Sequence, residues 1–251
     1  MNAPINATVN APALTNANTA QLQATQLLIS VTTIEEARMA LENGADIIDL
    51  KEPSLGALGA LPIATIQTIV AYVQNTKNTD SKLTSATIGD LPMEPKLLLA
   101  HVTELATTGV DIIKIGFFQT DDYQTCLHAL KPLAQKGMRL MAVFFAETTY
   151  PQGLISAIEH AGFMGIMLDT AKKNGLTLLD YYPQEQRVVF AKTVLGHGLQ
   201  LGLAGSLKLQ HVPLIKELSP SYIGFRGGVC DDNQRNRALD ATKIKAVRKI
   251  V

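Results

Sequence analysis

From Gln26 onward the chain alternates short apolar runs with longer amphipathic stretches. The apolar runs are short, bounded by polar or glycine-containing segments, and read as strands. They fall at Leu27–Val31, Ala45–Lys51, Leu83–Ile88, Val110–Gly116, Arg139–Ala146, Gly165–Asp169, Leu199–Ala204 and Tyr222–Arg226. Between them the pattern predicts helices. The first opens on Thr33-Ile34-Glu35-Glu36, which reads as a capping box, and runs to Gly44. Others are expected over Ile63–Asn75, Pro95–Thr108, Asp121–Gln135, Gly153–Ala161, Pro183–Leu195, Pro213–Leu218 and Ala241–Ile250. Eight β-then-α units in about 225 residues predict an α/β fold of the (β/α)8 TIM-barrel type. An open doubly wound sheet is the alternative, because periodicity does not report closure. One domain is expected over residues 26–251. Residues 1–25, rich in Asn, Ala, Thr and Gln and lacking charge, read as a disordered or weakly ordered extension.

Composition narrows the chemistry. Apolar residues make up 47% of the 251, enough for a large core. The 22 basic and 22 acidic residues cancel to a net charge of +0, so no broad field favours nucleic acid or an anionic membrane. Any anionic ligand is left to a local site. No apolar run reaches transmembrane length, and no basic-then-apolar leader is visible. Cys126 and Cys230 lie far apart, without metal-like or redox-like spacing, and fit a reduced cytoplasmic protein. Asn6-Ala7-Thr8 matches a glycosylation acceptor with nothing else to suggest secretion. None of the five histidines (His101, His128, His160, His197, His211) is spaced as a metal ligand, and no dinucleotide or Walker motif occurs. No metal and no cofactor is therefore expected. A small-molecule substrate is expected instead, with homo-oligomerisation left open.

The strand ends are unusually polar. In such barrels active sites gather at the C-terminal ends of the strands. The second strand ends in Asp49 and Lys51, which two-residue alternation places on one face. The fourth carries Lys114 between isoleucines, the sixth ends at Asp169 with Lys173 four residues later, and the eighth ends at Arg226. All four are even-numbered strands, so these groups are expected to share one layer at the mouth. Each has a plain structural explanation when taken alone. Lys51 can carry its head to water, Lys114 can be half of a buried ion pair, Asp169 can start a loop, and Lys173 lies in a turn-like segment. Together they point to amine chemistry on a carbonyl. An ammonium on an apolar strand is costly to hold, and a neighbouring cation favours the neutral, nucleophilic amine.

Ala204-Gly205-Ser206 after the seventh strand and Arg226-Gly227-Gly228 after the eighth read as a phosphate cradle. Barrels commonly hold phosphate there on backbone N–H groups, and Arg226 adds a guanidinium. The phosphate-binding set expected is Gly205, Ser206, Arg226, Gly227 and Gly228. The alternative is a pair of ordinary turns that need glycine. The segment from Lys51 to Ala60 reads either as a lid or as a long connector.

Six colinear segments carry a family resemblance. They are Ala45-Asp46-Ile47-Ile48-Asp49-Leu50-Lys51, Ser85-Ala86-Thr87-Ile88-Gly89-Asp90, Asp111-Ile112-Ile113-Lys114-Ile115-Gly116, Met167-Leu168-Asp169-Thr170-Ala171 with Lys173, Leu203-Ala204-Gly205-Ser206, and Gly224-Phe225-Arg226-Gly227. From about Leu27 to the C-terminus the chain resembles the (5-formylfuran-3-yl)methyl phosphate synthases, also called 4-(hydroxymethyl)-2-furancarboxaldehyde-phosphate synthases, of methanofuran biosynthesis. The resemblance implies a TIM-barrel lyase that condenses two glyceraldehyde 3-phosphate molecules into a phosphorylated furan, releasing phosphate and water. It implies Lys51 as the Schiff-base lysine and Lys114 as the proton acceptor, with Asp49, Asp169 and Lys173 as supporting catalytic groups. One departure is Ala146-Glu147 after the fifth strand, where an Ala-Asp pair is expected. Two other readings compete: a class I aldolase of the deoxyribose-phosphate type, and a phosphosugar-binding barrel that regulates without catalysis.

Overall fold

The computed structural model describes residues 24–76, 82–172 and 174–251. Most of the expected N-terminal extension, with the Asn6 triplet, lies outside the described residues, and so does Lys173. Eight parallel strands close into one barrel in sequence order: β1 (Gln26–Val31), β2 (Ile47–Leu50), β3 (Leu83–Thr87), β4 (Ile112–Gly116), β5 (Arg139–Phe145), β6 (Gly165–Asp169), β7 (Gln200–Leu203) and β8 (Tyr222–Phe225). Pairing of β8 with β1 in parallel register settles closure against the open-sheet alternative.

Helices separate the strands: α1 (Ile34–Glu42), α2 (Ile63–Asn75), α3 (Pro95–Ala106), α4 (Tyr123–Gln135), α5 (Leu154–His160), α6 (Leu178–Tyr181), α7 (Gln184–Gly196), α8 (Val212–Lys216) and α9 (Ala241–Arg248). Among the described residues no helix is long and apolar enough to cross a membrane. Helices cover the outside of the barrel, so both strand faces are buried and the strands read as near-continuous apolar runs. Short α6, capped by Thr177, was not expected and precedes α7 directly. The capping box at α1 forms only in half. Thr33 Oγ1 accepts from Glu36 N at 3.2 Å, but the Glu36 carboxylate takes the Thr32 N–H at 2.8 Å instead of closing back on Thr33.

Two apolar cores result. The larger lies between strands and helices and includes Ile29, Ile48, Ile113, Phe144, Leu168 and Ile223. The smaller fills the barrel with inward side chains, among them Leu28, Ile47, Ile112, Met141, Met167 and Tyr222. Above this inner plug the side chains turn polar, and there the site begins.

Candidate active site

Asp49 sits at the centre of the polar layer. Register places it between Ser30 on β1 and Ser85 on β3. Ser30 Oγ donates to one carboxylate oxygen at 2.8 Å and Ser85 Oγ to the other at 2.6 Å. Lys114 Nζ, from β4, lies 2.5 Å from Asp49 Oδ1. Both members of the pair are almost wholly buried, so each charge survives because the other is there. Burial opposes the charge on Asp49. The Lys114 ammonium, then Lys51 and the hydrogen bonds, outweigh it and hold the carboxyl below its ordinary range. At Lys114 burial is the stronger influence. It pushes the ammonium below its ordinary value against the pull of Asp49, and Lys51 adds repulsion.

Lys51 follows β2 directly, two residues beyond Asp49 on the same face, and is 7% exposed. Its Nζ lies 3.9 Å from Asp169 Oδ2 at the end of β6. The Asp169 carboxylate also accepts from Thr170 N at 2.7 Å. Lys51, Asp49, Lys114 and Asp169 line one cavity of about 370 Å³, together with the loops after β7 and β8. Four of the five catalytic residues named from the sequence thus converge. Lys173 lies outside the described residues, while its neighbour Lys172 is exposed.

The segment after Lys51 folds inward. Asp90 takes the N–H of Ala57 at 2.8 Å and of Leu58 at 2.7 Å, and Glu52 N donates to Gly59 O at 2.8 Å. Thr87 Oγ1 also donates to Gly59 O, at 3.2 Å. Gly56 is held at φ +125°, and a side chain there would run into the Asp90 carboxylate. Leu58 is thereby fixed over Gly116 at the end of β4. A Cβ on Gly116 would lie 2.6 Å from Phe118 and 2.9 Å from Leu58. These two side chains roof the side of the mouth next to Lys114.

The expected phosphate cradle divides into two kinds of residue. Gly205 (φ +102°) and Ser206 (φ +53°) turn the chain after β7, and a Cβ on Gly205 would meet Thr170 at 2.9 Å. Gly228 packs so closely on the Leu207 carbonyl that no side chain fits. Among the described residues no protein acceptor takes the N–H of Gly205, Ser206, Leu207, Gly227 or Gly228, and all five line the cavity. Arg226 lines it too, but its guanidinium is engaged. It forks onto the Glu36 carboxylate at 2.6 and 3.1 Å and donates to the carbonyls of Ser30, Arg235 and Arg237. In this conformation it ties β8 to the start of α1.

Several contributors were not singled out in the sequence. Ser30 and Ser85 are hydroxyl residues at inward positions of apolar strands, a signal that two-residue alternation carries. Glu147, whose role was open, accepts from Ala171 N at 3.0 Å and Lys172 N at 2.7 Å, so it holds the loop after β6. Arg235, from the loop after β8, donates to Pro53 O and Gly56 O across the mouth, and no sequence signal marked it. Among the described residues no cluster of three or more His, Cys, Asp or Glu side chains is arranged for a metal ion.

The sequence model of one family, described as 4-HFC-P synthase, matches residues 27–248. A Methylorubrum extorquens protein provisionally named (5-formylfuran-3-yl)methyl phosphate synthase is 40% identical over 219 residues, covering 87% of this chain and 88% of its own. The (5-formylfuran-3-yl)methyl phosphate synthase of Methanocaldococcus jannaschii is 31% identical over 237 residues, covering 89% of this chain and 98% of its own. Among solved structures, 3-hexulose-6-phosphate synthase from Salmonella typhimurium superposes with a TM-score of 0.63 at 15% identity, covering 90% of this chain and 98% of that one. Phosphoribosyl anthranilate isomerase from Thermus thermophilus gives 0.61 at 16%, covering 90% and 97%. At such identities the structural likeness speaks for the fold alone.

Proposed function

We propose, from the premise that this chain belongs to the 4-HFC-P synthase family, that it condenses two glyceraldehyde 3-phosphate molecules through a Schiff base on Lys51. The observation that carries the reading is the placement of Lys51 and Asp169 beside the buried Asp49–Lys114 pair in one cavity. The Lys51 amine adds to the aldehyde carbon, and the resulting carbinolamine loses water to give an iminium. Lys114, as its neutral amine, takes the proton from the adjacent carbon, and the electron pair moves onto nitrogen to form an enamine. Burial lowers the basicity of Lys114, which favours the neutral amine that a general base needs. The first enamine pair expels phosphate from its own triose and regenerates the iminium. A second, formed by loss of a further proton, makes the carbon–carbon bond to the other aldehyde, whose oxygen takes up a proton, and hydrolysis of the iminium frees Lys51. Loss of water closes the furan. Asp49 orients Lys114, and Asp169 orients Lys51 and shuttles protons with Lys173.

For the phosphate that stays on the product, the reading relies on the N–H groups of Gly205, Ser206, Leu207, Gly227 and Gly228. Arg226 keeps a place beside them, but as the frame that holds the β8 loop rather than as the main anion ligand. The test is phosphate release from glyceraldehyde 3-phosphate, with furan absorbance followed in parallel, for wild type and Lys51→Ala. Borohydride should trap substrate on Lys51 in the wild type. A reversible aldol product without phosphate release would replace the reading by a deoxyribose-phosphate-type aldolase. Tight substrate binding with no trapping and no turnover would leave only a binding protein.

A further inference from the structure

Three cations of the cavity have carboxylate partners in reach: Lys114 at Asp49, Lys51 at Asp169 and Arg226 at Glu36. Arg235 lines the same cavity and, among the described residues, forms no ion pair. Its Nη2 donates to the carbonyls of Pro53 and Gly56, in the loop that begins beside Lys51. Asp90, the carboxylate on the far side of that loop, is occupied by the N–H groups of Ala57 and Leu58. The Nε and Nη1 hydrogens of Arg235 have no protein acceptor among the described residues. The guanidinium is therefore pinned by Nη2, while Nε–H and the two Nη1 hydrogens are left to donate, each able to make a charge-assisted hydrogen bond to an oxyanion.

We infer that Arg235 is a phosphate-binding residue of this cavity, taking a substrate phosphate on the N–H groups that the loop leaves free while Nη2 keeps the Pro53–Gly56 loop in place. Only the identity of the phosphate ester rests on the triose phosphate reading above. Its backbone packs beside Gly227 of the cradle, and its side chain reaches the loop that begins at Lys51, so Arg235 is placed for a second phosphate on the Lys51 side of the cavity. A substrate pair bearing two phosphates calls for two such places.

The experiment is calorimetric titration of the full chain with inorganic phosphate, for wild type, Arg235→Gln and Arg235→Lys. Arg235→Gln should bind phosphate about tenfold or more weakly, the scale of a lost charge-assisted hydrogen bond. Arg235→Lys, which keeps the charge but not the planar set of N–H donors, should fall between. Thermal unfolding of each variant checks that the fold is kept. Equal phosphate affinity in wild type and Arg235→Gln would overturn the inference and leave Arg235 as a strap between loops. So would a wild type that binds no phosphate. The titration needs no turnover: phosphate held through Arg235 by a protein that never releases phosphate from glyceraldehyde 3-phosphate would refute the condensation and leave this inference standing.

Discussion

The mouth of this barrel has a sealed side and an open side, and a lysine stands on each. Next to β4, Leu58 and Phe118 close over Gly116, with Phe118 packed 4.8 Å from Phe145 between ring centres. Beneath them Lys114 is 2% exposed and locked to Asp49 at 2.5 Å. Between β2 and β6, Lys51 faces the cavity, with its carboxylate neighbour 3.9 Å away. The same side chain is thus used in two ways. A dry, tightly paired amine has its proton affinity set by its surroundings. A looser one at the cavity wall is free to meet a carbonyl. On the proposed reading, the contrast suits position 51 to covalent chemistry and position 114 to proton transfer.

Deleting each amine should break that contrast most sharply. Lys51→Ala should lower turnover to below roughly a thousandth of wild type, as loss of a covalent nucleophile does, and should abolish borohydride trapping. Lys114→Ala should cost about 10²- to 10⁴-fold, the range of a general base, while trapping at Lys51 persists. Trapping lost in the second variant and kept in the first would reverse the assignment.

Stability should respond next. Asp49→Asn leaves the Lys114 ammonium buried without its partner and should destabilise by about 3–5 kcal/mol in denaturant unfolding. A loss within 0.5 kcal/mol, the scale of an ordinary surface change, would mean that Lys114 escapes to water. The roof comes third. Leu58→Ala should cost about 2–5 kcal/mol as a cavity-forming change, and Gly116→Ala, by forcing Phe118 and Leu58 apart, about 1–3 kcal/mol. Both should change turnover more than borohydride trapping if the roof serves Lys114 and not Lys51.

The smallest effect expected is in pH dependence. Asp49 has its folded value lowered from 3.8, so its contribution is present above 3.8 and fades as pH falls through the lower folded value. Lys114 is lowered from 10.5, so its contribution is full above 10.5 and declines as pH falls towards its folded value. Both signs make stability rise with pH within their windows. Denaturant unfolding of wild type should therefore show an acid limb below the ordinary carboxylate range, and Asp49→Asn should lose that part of it. An unchanged limb in the variant would place the acid sensitivity elsewhere.

Much of this was legible in the chain. Strands buried on both faces announce themselves as apolar runs, so all eight strands were found to within a few residues. The inward direction of Asp49, Lys51 and Lys114 follows from alternation alone. Glycine was harder to read, because Gly205 and Gly228 look like anion-binding residues and also turn out to be demanded by packing against Thr170 and Leu207. Arg226 was harder still. Its partner Glu36 is 190 residues away in the chain, and local pattern does not carry a contact of that range.

Sequence by itself determined which residues are apolar, which way they alternate, and hence that polar groups on several strands face one interior. It did so because side-chain direction in a strand has a fixed period, independent of what the strand packs against. Only the closed barrel decided how those groups pair. Ser30, Asp49, Ser85 and Lys114 belong to four strands, and their hydrogen bonds exist only once β1 to β4 lie in register. The roof over Lys114 and the anchoring of Arg235 on the Pro53–Gly56 loop likewise join segments distant in the chain, whose geometry is a property of closure and not of composition.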